Sequence, residues 1–185
     1  VTTRYPFEDA VRIRVEHCDT PTLSLSVRRP YHAAVRLNGA PVADGLGLLT
    51  VTEAMRSGDE FHLEFDFTVE THLNQDQTSS VFRGPMLYCQ KLEAREIYLG
   101  GVRPFHDRAF EPVDRHRYIL LVKQGEAVVE GFREGVASDD FYQNDRGVDV
   151  AAIDLATQKR VVLPLYPYGT ATLRYTHFAT REVQR

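Results

Sequence analysis

The sequence predicts an all-β protein built as an antiparallel β-sandwich, or as two such sandwiches packed together. In residues 61–69, Phe61, Leu63, Phe65, Phe67 and Val69 alternate with His62, Glu64, Asp66 and Thr68. Period two over that length is the signature of a strand buried on one face. Roughly ten or more short apolar runs follow one another with turn signals every several residues, the pattern of a sandwich. No segment of useful length repeats at the helical period.

Arg4-Tyr5-Pro6-Phe7 is an extended lead-in, and Val11, Ile13 and Val15 alternate with Arg12, Arg14 and Glu16 as a first strand. Leu23, Leu25 and Val27 form a second, closed by Pro30. Residues 33–37 and 40–42 flank Asn38-Gly39, the pair that suits a type I′ hairpin because both central residues need positive φ. Residues 48–52 form a strand, and Ser57-Gly58-Asp59 turns the chain into the long alternating strand. A polar passage, residues 72–80, precedes Arg83-Gly84-Pro85, where Gly-Pro ends one strand, and Met86-Leu87-Tyr88-Cys89 begins the next. The apolar faces of 61–69 and 86–89 are expected to pack on each other as the main core.

Beyond residue 90 the signals thin. Residues 97–99 read as a short strand ended by Gly100-Gly101, and 102–117 as a long loop. Residues 118–123 and 127–132 form a hairpin across Gln124-Gly125-Glu126, and 134–147 read as loop. Residues 148–155 fit a strand or a short helix. Strand is preferred because 160–165 can pair back across Thr157-Gln158-Lys159. A last strand, 171–178, follows Pro167-Tyr168-Gly169. The expected division is a sandwich over 1–92 and a second all-β unit packed on it over 93–185, or one continuous domain.

Composition bounds the function. Twenty-two basic residues against 26 acidic ones leave a formal charge of -4 spread along the chain, which argues against a nucleic-acid partner. No run approaches the roughly 18 apolar residues of a membrane span, and no signal-peptide pattern opens the chain. The first residue is Val rather than Met, so a trimmed or excised piece of a longer chain is expected. Two cysteines, Cys18 and Cys89, cannot form a disulfide framework; one bridge is the most they allow, and the compartment stays open.

Chemistry-bearing residues are sparse. The seven histidines make no metal-ligand spacing, so each is read as satisfied or solvated. Cys89 lies in an apolar run with no evident base or cation and is read as core. Asp139, Asp140, Asn144 and Asp145, with Asp149 nearby, offer the hard oxygens calcium takes, but without the spaced loop order; a solvated loop is the competing reading. His72, Asn74 and Asp76, with Gln75 and Gln77, could hydrogen-bond sugar hydroxyls, although ordinary strand connections share this composition. No Trp is present to stack on a sugar. No catalytic residue, metal centre or cofactor is read from the sequence.

Several motifs occur in an order that resembles a known family. Val11-Arg12-Ile13-Arg14-Val15, Leu25-Ser26-Val27-Arg28-Arg29-Pro30, Val35-Arg36-Leu37-Asn38-Gly39, Ser57-Gly58-Asp59 and Arg83-Gly84-Pro85-Met86-Leu87-Tyr88-Cys89 are similar to the β-sandwich region that follows the catalytic domain in the β-L-arabinofuranosidase-like glycoside hydrolases, family 127 and relatives. Leu163-Pro164-Leu165-Tyr166-Pro167-Tyr168-Gly169 and Leu173-Arg174-Tyr175-Thr176 resemble their closing strands. Where the family carries Pro-Ser-Trp and a Trp before the Gly-Asp turn, this chain has Pro30-Tyr31-His32 and Met55. The family's helical (α/α) barrel, with its zinc-held cysteine nucleophile, has no counterpart here, so no catalytic role carries over. The resemblance implies a non-catalytic accessory portion docked on a helical-barrel catalytic domain, in the same chain or a separate one. An uncovered apolar patch and self-association as a homodimer are then expected. The rivals are a free-standing carbohydrate-binding or protein-interaction module and, more weakly, an enzyme assembled from distant loops.

Overall fold

The computed structural model describes residues 1–19, 24–30, 33–43, 47–51, 54–135 and 146–183. Nearly all regular structure is β, and no α-helix occurs among the described residues; one 3-10 turn spans Tyr168–Thr170. No helix is long and apolar enough to cross a membrane. The chain forms two compact units, Val1–Thr68 and Val69–Arg185.

In the first unit, β1 (Thr2–Thr3), β2 (Ala10–Arg14), β4 (Ala33–Leu37), β5 (Ala40–Pro41) and β7 (Glu60–Phe67) make a five-stranded sheet in the order β1-β2-β7-β4-β5. The strands β3 (Leu25–Arg28) and β6 (Leu48–Val51) pair separately. The alternation of β7 is realised as read: Phe61, Leu63, Phe65 and Phe67 are all buried, between β2 and β4. Ala33, Val35, Leu63, Phe65 and Phe67 form one core cluster, onto which Val27 of β3 and Leu49 of β6 pack. Val51, Met55 and Phe61 form another, with Leu25 against it. The unit is thus a small sandwich, five strands over two. Asn38 (φ 50°) and Gly39 (φ 80°) supply the expected type I′ hairpin. The Ser57-Gly58-Asp59 turn is also present: Gly58 N–H donates to Val15 O at 2.7 Å and Val15 N–H to Asp59 O at 2.8 Å.

In the second unit, β8 (Val69–Leu73), β9 (Ser79–Arg83), β10 (Met86–Lys91), β11 (Ala94–Gly100), β12 (Asp107–Pro112), β13 (Tyr118–Lys123), β14 (Glu126–Ala127), β15 (Val129–Arg133), β16 (Gly147–Asp154), β17 (Lys159–Pro167), β18 (Arg174–Tyr175) and β19 (Ala179–Glu182) follow in order. Its large sheet runs β14-β13-β16-β17-β10-β9-β8, with β15 also on β16, β18 on β10, and β19 parallel to β13. It curls so far that its two ends meet: Thr71 N–H on β8 donates to Glu126 Oε2 on β14 at 2.7 Å. Val81, Tyr88, Cys89, Leu120, Val148, Val150, Leu165 and Phe178 are almost wholly buried. β16 is a strand, buried along both faces, which is why its pattern did not separate strand from helix. It pairs with β17 as expected, Val148 opposite Leu165 and Asp154 opposite Lys159.

Four expectations change. Val69 does not prolong β7: the strand stops at Phe67, and half-buried Val69 opens β8 in the other unit. The faces of β7 and β10 therefore serve separate compact units, Val1–Thr68 and Val69–Arg185. The reason is non-local pairing, which joins β10 to β17 through Tyr88 opposite Pro167. Residues 102–117 are not all loop, because β12 pairs with a lengthened β11. Both strands are largely exposed, so no burial alternation marks them. Finally, 171–178 is not one strand: only β18 and an isolated Phe178–Ser79 bridge are regular there.

Candidate functional site

The residues read as a sugar-contacting surface all fall on the β8–β9 hairpin. Asn74 N–H donates to Thr78 O at 2.7 Å, and Gln77 (φ 63°) donates to Asn74 O at 3.1 Å, closing the turn. Asn74 is committed to it: its Nδ2 donates to Thr78 Oγ1 and to Ser80 Oγ, both at 3.0 Å. The Asp76 carboxylate accepts Thr78 Oγ1–H at 2.5 Å and Thr78 N–H at 3.1 Å, and its Oδ2 lies 3.2 Å from His177 Nδ1. The Thr78 hydrogen bonds, with a smaller contribution from His177, hold the Asp76 carboxyl below its ordinary range. His72 Nε2 lies 3.3 Å from Glu70 Oε2, and its ring centroid is 4.7 Å from that of Phe82. The three candidates thus share one hairpin but serve different partners; His72 and Asp76 are exposed, and Asn74 is half-buried.

The acidic quartet Asp139, Asp140, Asn144 and Asp145 lies outside the described residues. Asp149, beside it in sequence, accepts Arg133 Nε–H at 2.6 Å, so that carboxylate neutralises a guanidinium. Among the described residues no group of three or more His, Cys, Asp and Glu is gathered as a metal site. Of the histidines, His32 lies outside the described residues. His17, His62, His72, His106 and His177 each sit against a carboxylate, and His116 Nδ1 lies 2.7 Å from Gln90 Oε1.

Cys89 is wholly buried on β10, and burial pushes its thiol up to about 11, against a smaller opposing pull from Arg174 and Lys91. At neutral pH it is a small apolar side chain. Cys18 Sγ donates to Met55 O at 3.4 Å, and neither cysteine is in a disulfide.

Exposed apolar residues that the sequence analysis did not name stand out instead. At the end of the β11–β12 ribbon, Leu99, Val102 and Phe105 are 65%, 82% and 91% exposed, with Tyr98 beside them. The available signal was three large apolar residues inside a Gly- and Pro-containing stretch; reading that stretch as loop hid them.

Compared by sequence, the chain matches no family model and none of the curated proteins. Its fold does match solved structures. A glycoside hydrolase aligns with a TM-score of 0.63 at 18% identity, over 97% of this chain and 31% of the other. A GH127 β-L-arabinofuranosidase from Geobacillus stearothermophilus T6 aligns with 0.58 at 19% identity, over 98% and 30%. A further GH127 β-arabinofuranosidase aligns with 0.57 at 17% identity, over 91% and 28%. The chain has the fold of one portion of these enzymes and spans about 30% of their length.

Proposed function

We propose that this chain is the non-catalytic accessory β portion of a glycoside hydrolase similar to the β-L-arabinofuranosidases, working against a helical-barrel catalytic domain supplied in the same chain or a separate one. The observation that carries the reading is the end-to-end match of this chain's fold to under a third of such enzymes. The chain's own chemistry fits a supporting role. Glycoside cleavage takes an acid and a second group flanking the bond, and the buried Cys89 thiol, held protonated, is poorly suited to be that second group. Its role is to steady the barrel and shape the rim of the substrate cleft.

The test is the parent reading frame followed by reconstitution. A helical barrel encoded with or beside this chain, whose turnover of aryl arabinofuranosides or thermal midpoint drops when the chain is removed, supports the reading. A barrel indifferent to the chain, or turnover by the chain alone, overturns it.

A carbohydrate-binding module is the second reading, favoured by exposed His72 beside Phe82 and exposed Asp76 on one hairpin. Calorimetric titration with arabino-oligosaccharides, with heat abolished by His72→Ala and Asp76→Ala, would support it. Absence of heat in the wild-type chain would remove it.

A further inference from the structure

The β11–β12 ribbon pairs with no other strand in the described sheets, yet its end is built rather than loose. Tyr98 Oη–H donates to Gly101 O at 2.5 Å, and the Tyr98 and His106 ring centroids lie 5.6 Å apart. His106 Nε2 sits 3.3 Å from Glu96 Oε1. Gly101, at φ +88°, lies so close beneath the loop that a Cβ there would come within 3.2 Å of the His106 Cα. These contacts hold the loop in one shape, and the shape presents Leu99, Val102 and Phe105 to water.

Ordering a loop costs conformational entropy. Leaving a Phe side chain exposed forgoes the stabilisation its burial supplies. Three large apolar side chains held in water at the end of one ribbon mark an interaction site. A sugar is the poorer occupant, because its hydroxyls need donors and acceptors beside the stacking ring, and here Tyr98 Oη–H is given to Gly101 O while Glu96 is held by His106 and Arg108. A protein groove lined by apolar side chains is the right one. The fold matches glycoside hydrolases over nearly all of this chain but only 30–31% of theirs, and the rest of such an enzyme is the partner at hand.

We propose that the ribbon is a docking finger whose apolar end seats on the catalytic portion of the glycoside hydrolase, the part that lies outside the span matched by this chain. This rests on the accessory reading above and adds the surface that makes the contact.

The experiment is backbone hydrogen exchange on the 185-residue chain, alone and joined to its barrel, together with the affinity of the two parts. The variants are Val102→Ser with Phe105→Ser and, as a control in the same unit, Phe132→Ser, whose ring is 62% exposed on β15. The expected result is barrel-dependent protection centred on residues 97–107, a loss of roughly 30-fold or more in affinity for the double variant, as for a central aromatic anchor, and no loss for Phe132→Ser. Protection elsewhere with an unchanged ribbon overturns the finger and leaves the accessory reading standing. Absence of protection anywhere overturns both. Protection of the ribbon by rising concentration of the chain alone makes a second copy the occupant and also overturns the proposal. Unchanged spectra and thermal midpoints of the isolated variants establish that folding is intact.

Discussion

Thr71 and Glu126 tie the two ends of the curled sheet together. Thr71 N–H and Oγ1–H donate to Glu126 Oε2 at 2.7 and 3.2 Å, while Thr71 Oγ1 accepts Ala127 N–H at 2.7 Å. Open sheets carry unpaired edges that invite association. Here one carboxylate and one hydroxyl stand in for the missing backbone ladder between β8 and β14. Glu126→Ala should cost about 1.5 kcal/mol, the low end for hydrogen bonds to a charged group because the carboxylate is exposed, and should speed exchange of the Thr71 amide. Unchanged exchange at Thr71 would show that the closure is not made in solution.

Phe65 is the centre of the first unit's core, 6% exposed, with Tyr5 edge-on at 5.6 Å and Phe67 at 5.7 Å. Phe65→Ala empties that site and should destabilise the unit by about 3–5 kcal/mol. Two compact units need not unfold together, so the measurement is a urea titration read by probes in each. A loss below about 1 kcal/mol in the first unit would contradict the packing described.

Cys89 should resist alkylation in the native state while Cys18, which is half-buried, reacts. Mass mapping after iodoacetamide at neutral pH reads this directly. The linkage has a definite sign: the thiol ordinarily ionises near 9.0 and in the fold at about 11. The unfolded chain therefore releases the proton first, and this group's contribution to stability is full below pH 9 and lost as pH rises toward 11. Cys89→Ala should flatten that alkaline fall.

His116 lies flat on Tyr175, with centroids 3.7 Å and planes 13° apart, and Phe178 is edge-on to it at 5.4 Å. Burial holds its imidazole below the ordinary 6.5, against a smaller opposing hydrogen bond with the Tyr118 backbone. With the folded value depressed, the unfolded chain takes up the proton first. Stability from this group is complete above pH 6.5 and is lost as pH falls through and below that value. Acid titration of the second unit should show this loss, and His116→Gln should be less stable at pH 8 but less acid-sensitive. An identical acid profile in the variant would count against the stacked, neutral imidazole.

Local conformation is legible in the order of the amino acids. Phe61, Leu63, Phe65 and Phe67 point to one face because a strand alternates whatever surrounds it, and Asn38-Gly39 turns because those two residues accept positive φ. The turns at Ser57-Gly58-Asp59 and Gln124-Gly125, the buried Cys89 and the pairing of β16 with β17 follow from signals a few residues apart. Beyond such hairpin neighbours, which strands share a sheet is set by the tertiary fold. Tyr88 lies opposite Pro167, Ile119 lies opposite Ala179 in a parallel pair, and Thr71 reaches Glu126; no periodicity encodes a partner so distant in the chain. The candidate site divides in the same way. The polarity of His72, Asn74 and Asp76 was legible, but the fold spends Asn74 on its own turn. The ribbon carrying Phe105 left no alternation, because a ribbon exposed on both faces has no buried side to alternate against.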